Sequence, residues 1–181
     1  AELWCSPPDS DVERDEGKQV AGEVINSLQT IDAESATLLA RFLSENDTTE
    51  EEYIELFELD PQCSLYLGSH TYDEPDTCAN AAVSDRNGYM IELIGIYKHF
   101  GQQPTGKELP DYLPMMVDFL ALSTGSMEDP VRDKLINEYF LPFLPPLRHR
   151  LEELRTPYLH LLDALANVIS IEKSATQMET T

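Results

Sequence analysis

Apolar residues return at helical spacing along most of this chain, and nowhere do they alternate over a useful length, which restricts the fold to packed helices. Val20, Val24, Leu28 and Ile31 mark a first helical face from Gln19 onward. Leu38, Leu39, Phe42 and Leu43 mark a second, with Asp32 placed to cap it and Asn46–Asp47 to break it. Thr49-Glu50-Glu51-Glu52 has the form of a capping box, followed by Tyr53, Ile54, Leu56 and Phe57, and Asp60–Pro61 closes that segment. Ser84 or Asp85 opens a long helix running to about Phe100. Its Tyr89, Met90, Ile91, Leu93, Ile94, Ile96 and Tyr97 lie nearly all round the axis, so it is expected to be central and buried, with Gly101 as its stop. Further helices are expected from near Asp111–Pro114 to before Gly125, from Asp129–Pro130 to about Tyr139, and from about Leu147 to Leu154. A last one follows Thr156–Pro157 and carries Tyr158, Leu161, Leu162, Leu165, Val168 and Ile169. Residues 73–83 read as a loop shading into a helix. At 181 residues the expectation is an all-α, single-domain irregular helical bundle. It divides into a flexible acidic arm at 1–17 with Pro7–Pro8, a helical domain at 18–173, and a disordered tail at 174–181.

Charge narrows the partners. The chain has 34 Asp plus Glu against 12 Lys plus Arg, a formal net charge of −22. Phosphates and anionic lipid surfaces would be repelled, so neither nucleic acid nor a membrane surface is an expected partner, and cationic partners are favoured. Solubility or a salty habitat accounts for the same acidity equally well. No apolar run approaches the ~20 residues that cross a bilayer, and the N-terminal AELWCSPPDSDVERDE has no basic start before an apolar stretch, so no secretory signal is expected. Cys5, Cys63 and Cys78 fit no zinc spacing. Reduced thiols in a cytoplasmic protein are the favoured reading, with a Cys63–Cys78 disulfide as the alternative.

No catalytic motif rises from the sequence. His70, His99, His149 and His160 make no His-Glu-x-x-His pattern, and there is no Gly-rich phosphate loop, Gly-x-Ser-x-Gly elbow or EF-hand loop. No bound metal or organic cofactor is expected. The segment that stands out is Glu108-Leu109-Pro110-Asp111-Tyr112-Leu113-Pro114, whose two prolines lower the entropy lost in ordering a loop. From spacing, Asp111 is a helix N-cap; a functional role would turn it toward a cationic ligand. Met115 and Met116 beside it suit either ordinary core packing or an adaptable groove.

Glu-Leu-Pro-Asp-Tyr-Leu-Pro at 108–114 resembles the signature of the NarJ branch of the TorD/DmsD redox-enzyme maturation chaperones. That family's version carries His after the Asp, where this chain has Tyr112. The likeness extends to Tyr53-Ile54-Glu55-Leu56-Phe57 with Asp60, to Ser64-Leu65-Tyr66-Leu67 and His70, to Arg86-Asn87-Gly88 with the helix at 90–97, and to Met116-Val117-Asp118-Phe119-Leu120. It covers about residues 50–170. The resemblance implies a TorD-like all-α fold. It implies a chaperone, not an enzyme, that binds the N-terminal, twin-arginine-type segment of an apo molybdenum/iron–sulfur catalytic subunit. That segment is held until the molybdenum cofactor is inserted, before export or membrane docking. Contact with the cofactor-insertion machinery belongs to the same picture.

Such a leader is basic at one end and apolar along its middle, which suits an acidic chain with an apolar groove. The expected contacts are Glu108 and Asp111 to client Arg or Lys, with Tyr66, His70, Tyr112 and Met116 lining the groove and Asp85 and Arg86 at its margin. Two rivals stand beside this reading. One is a general helical peptide-binding adaptor for an unrelated partner. The other is an enzyme using His70 with Asp111 as a proton-transfer pair, which requires the two side chains within hydrogen-bond reach.

Overall fold

The computed structural model describes residues 1–8, 10–72, 84–104 and 106–179. The expected loop at 73–83, and with it Cys78, lies outside them. The fold is all-α. Among the described residues the one β-type pairing is an isolated antiparallel bridge between Tyr66 and Tyr112. The helices are α1 (Asp11–Leu28), α2 (Ala33–Glu45), α3 (Glu50–Phe57), α4 (Asp85–His99), α5 (Leu113–Leu122), α6 (Pro130–Lys134), α7 (Leu144–Leu154) and α8 (Tyr158–Glu179). Short 3-10 turns occupy Glu2–Trp4, Leu67–His70, Thr124–Ser126 and Leu141–Phe143, and a π-helical turn follows α6 at Leu135–Phe140.

The caps written in the sequence do their work. Asp32 accepts from the N–H groups of Glu34 and Ser35, both at 3.2 Å. Thr49 and Glu52 satisfy one another's backbone donors in a full capping box. Ser84, rather than Asp85, caps α4 by accepting from Asn87 N–H. Asp129 accepts from Val131 N–H at 2.8 Å ahead of Pro130. Gly101 sits at φ 73°, the left-handed stop that glycine adopts without strain.

Several boundaries differ from the sequence reading. The first helix opens at Asp11, capped by Ser10, instead of at Gln19. Residues 2–4 form a turn that buries Trp4 to 2% exposure against α5. The last helix continues to Glu179. The long helix α4 is not buried all round: Tyr89, Leu93, Ile96 and Tyr97 face inward, while Ile91 is 59% exposed.

The chain divides into two compact units. In the first, Ala1–Cys5 with Ser64–Leu147, the core comprises Leu65, Leu67, Leu93, Leu113, Met116, Leu135 and Phe140, all at most 1% exposed. Tyr97 meets Phe119 edge-on with centroids 4.7 Å apart, and Tyr89 stacks on Phe143 at 4.3 Å. Arg132 is buried, giving Nε–H to the Ser123 hydroxyl at 3.0 Å and Nη2–H to the Leu120 carbonyl at 3.2 Å. It thus satisfies acceptors at the C-terminal end of α5, where a cation also suits the helix dipole.

In the second unit, Ser6–Cys63 with Arg148–Thr181, α2 packs against α8. Tyr158 is its hub, meeting Phe42 at 5.2 Å and Phe57 at 4.8 Å, both edge-on. Burial pushes the free thiol of Cys63 up to about 12, so it stays protonated and inert near neutrality.

Candidate functional site

The candidate residues all fall in the first unit, and its backbone explains why the 108–114 segment is rigid. The Leu67 N–H donates to the Asp111 carbonyl at 3.0 Å, and the Leu113 N–H to the Leu65 carbonyl at 2.9 Å. These two bonds form a miniature antiparallel ladder around the Tyr66–Tyr112 bridge. From α4, the Tyr97 hydroxyl donates to the Pro110 carbonyl at 2.7 Å. Pro110 carries no N–H of its own, so the loop is held through carbonyls and through the residues that flank the proline.

Asp111 is not the helix cap that its spacing suggests. Tyr112 occupies the N-cap position of α5 and no side chain caps that helix. The Asp111 carboxylate turns away and accepts the Gly68 N–H at 2.9 Å. Asp111 is 0% exposed, and its Oδ1 has no hydrogen-bond partner. Burial raises its carboxyl above the ordinary value, against the opposing pull of the Gly68 N–H and the Arg86 charge. Gly68 is required here: a Cβ at that position would sit 2.9 Å from Asp111 Oδ2 and 3.3 Å from the Tyr89 ring. The glycine therefore permits the close approach that lets a buried carboxylate clasp a backbone donor.

Around this buried clasp lies a more accessible layer. Tyr66 and Tyr112 are half-buried with ring centroids 5.2 Å apart, and the Tyr66 hydroxyl donates to the carboxylate of exposed Glu108. Desolvation first, and the Glu108 carboxylate second, hold the Tyr66 phenol well above its usual range, so it remains a donor. Arg86, in the first turn of α4, donates to the Ser69 hydroxyl at 3.0 Å, and Asp85 beside it is exposed.

His70 and Asp111 do not form a pair. His70 Nε2 lies 2.6 Å from the Ser64 carbonyl, an acceptor only, so that nitrogen carries a proton and donates it. Asp111 Oδ2 accepts the Gly68 N–H, and its Oδ1 has no hydrogen-bond partner, His70 included. Met116 is 0% exposed and belongs to the core, the ordinary packing that helical spacing favours. The structure thus gathers Glu108, Tyr66 and Tyr112 at an accessible edge, and leaves Asp111 and Met116 beneath it. Gly68 and Tyr97 complete the clasp and escaped the sequence reading. The glycine inside the aromatic run Tyr66-Leu67-Gly68-Ser69-His70 was the available signal. Among the described residues no group of His, Cys, Asp or Glu could hold a metal ion.

With that geometry in view, residues 26–164 match the family described as nitrate reductase delta subunit. The chain is 32% identical over 114 residues to a probable nitrate reductase molybdenum cofactor assembly chaperone, NarW, of Escherichia coli K12, a match covering 63% of this chain and 44% of that protein. It is 29% identical over 149 residues to the corresponding chaperone NarJ of the same organism, covering 79% of this chain and 57% of that protein. The probable NarJ of Bacillus subtilis is 29% identical over 116 residues, covering 64% and 55%. The chain therefore spans about half the length of these curated relatives. The matched stretch takes in every residue of the clasp and of the edge above it, and the chain belongs to the nitrate reductase delta subunit family, within the NarJ branch of the TorD/DmsD chaperones.

Proposed function

We propose that the chain is a non-catalytic, cytoplasmic assembly chaperone for a molybdenum-containing oxidoreductase of the nitrate reductase type. It binds the N-terminal, twin-arginine-type leader of the apo catalytic subunit and holds that subunit until its molybdenum cofactor is in place. The names of the relatives support the maturation role, and the absence of a His70–Asp111 pair removes the one proton-transfer constellation the sequence offered.

The observation that carries the leader-binding reading is the accessible edge of Glu108, Tyr66 and Tyr112 on a loop whose backbone is fixed at both ends. A guanidinium has the geometry to stack on a tyrosine face and to meet a carboxylate at once. Because the loop is already ordered, little entropy is lost at binding. Asp111, beneath the edge, supports this contact by positioning the loop and does not itself reach the client.

Titration calorimetry with a synthetic leader peptide bearing paired arginines tests the reading. Binding is expected at low ionic strength, with Glu108→Gln weakening it about tenfold, the order of one lost charge-assisted hydrogen bond. Absence of binding at low salt, or equal binding by the variant, overturns it.

A further inference from the structure

The outward face of α1 is a second feature of the chain, and it lies ahead of the family-matched stretch: residues 12–24 precede residue 26. Val12, Val20 and Val24 on α1 are 66%, 57% and 50% exposed. At about 100° per residue they fall within one arc of about 120°. Ala21, which is buried, and the half-buried Ile25 and Leu28 fall on the neighbouring inward arc.

The charges on the helix are sorted in the same way. Glu13, Glu16 and Glu23 share the valine arc, whereas Arg14 and Lys18 fall on the other side. Gly17, at the edge of the valine arc, has nothing within 4 Å of the place a Cβ would take, which leaves room for another backbone to come close. The face is thus apolar, purely acidic and sterically open over about 18 Å of helix.

We propose that this face of α1 is a docking surface for a cationic amphipathic helix. The charge pattern selects that occupant. A second copy of the chain would bring the three glutamates of one face against the three of another, and like charges at close range oppose association. An anionic lipid surface would be repelled for the same reason. A helix with apolar residues at i, i+3, i+4 and i+7, flanked by Lys or Arg, meets the valines with its stripe and the glutamates with its flanks.

The test uses the full chain and a 14-residue peptide with Leu at those positions and Lys elsewhere. Binding is followed by amide chemical-shift perturbation and by calorimetry. Perturbations are expected on residues 12–24. The triple variant Glu13→Lys, Glu16→Lys, Glu23→Lys should weaken binding at least tenfold, and Val20→Ser with Val24→Ser should weaken it without altering charge. The control Glu51→Lys, Glu55→Lys, Glu58→Lys makes the same change in net charge on α3 and at its C-cap and should leave binding within twofold of wild type. Glu108→Gln should also leave it unchanged, which separates this surface from the proposed leader site. All substituted side chains on α1 are exposed, and circular dichroism checks that each variant folds. Equal loss in the α3 control, perturbations confined to other helices, comparable binding of a Leu/Glu peptide, or a dimer that Val20→Ser with Val24→Ser dissociates would each overturn the proposal.

Discussion

Asp111 and Gly68 set the terms for the whole candidate site. A carboxylate with no exposure, one backbone N–H and one unpartnered oxygen is costly, and it persists because the loop bonds on either side hold it there. Two predictions separate its parts. Gly68→Ala should destabilise the protein by about 1–3 kcal/mol in urea unfolding, since its Cβ meets the Asp111 carboxylate and the packed Tyr89 ring with no flexible chain end to yield. Asp111→Asn probes the charge. The folded carboxyl titrates above its ordinary value near 3.8, so its contribution is fully present below that value and is lost as pH rises through the raised one. The unfolding free energy of wild type minus that of Asp111→Asn should therefore decrease from pH 4 to pH 7, measured at fixed salt; a flat difference would mean that the carboxyl titrates alike in both states. The sequence could not reveal this role. Asp111 stands two residues ahead of a helix, where a cap is the local expectation, but its partner Gly68 lies 43 positions away and nothing in a local pattern reports it.

At the level of elements, the legible parts were those with a local cause. Asp32, Thr49, Ser84 and Asp129 each cap the helix that follows them, because a cap needs only a side-chain oxygen and a backbone donor two or three residues on. Thr49→Ala should accordingly cost about 1 kcal/mol of stability in urea unfolding, and because Glu52 still accepts the backbone N–H of residue 49 in that variant, Glu52→Ala should cost stability further on that background. The misread elements had non-local causes. Helix α4 carries apolar residues round most of its circumference, yet only one side meets the core, and Ile91 remains in solvent. The opening turns of α1 contain Val12 alone as an apolar residue in a run of charged and polar ones, so no helical stripe announces them. Ser10 and the backbone ladder form the helix regardless. The site was legible in the same uneven way: the proline-flanked loop stood out by composition, Tyr66 and Glu108 do meet at its edge, and Met116 obeyed its helical phase and went into the core.

Over the whole molecule, a net charge of −22 acts on folding and on the proposed association with opposite signs. Self-repulsion among surface carboxylates disfavours the compact state, because unfolding moves like charges apart. Against it stand attractive pairs such as Arg148 with Asp163 at 2.8 Å and Lys134 with Glu92 at 3.1 Å, both partly exposed and each worth little in water. The excess of acids makes repulsion the larger sum. Raising ionic strength shortens the screening length from ~30 Å at 0.01 M to ~10 Å at 0.1 M, which removes distant repulsions before it weakens contact pairs. The urea midpoint should thus rise as sodium chloride is added across that range, while the affinity for the arginine-bearing leader falls, both measured on the same preparation. A midpoint that falls with salt would mean that the contact pairs outweigh the repulsion. A leader affinity indifferent to salt would mean that the acidity of the chain has no part in the proposed recognition, and that the rings of Tyr66 and Tyr112 carry the binding without it.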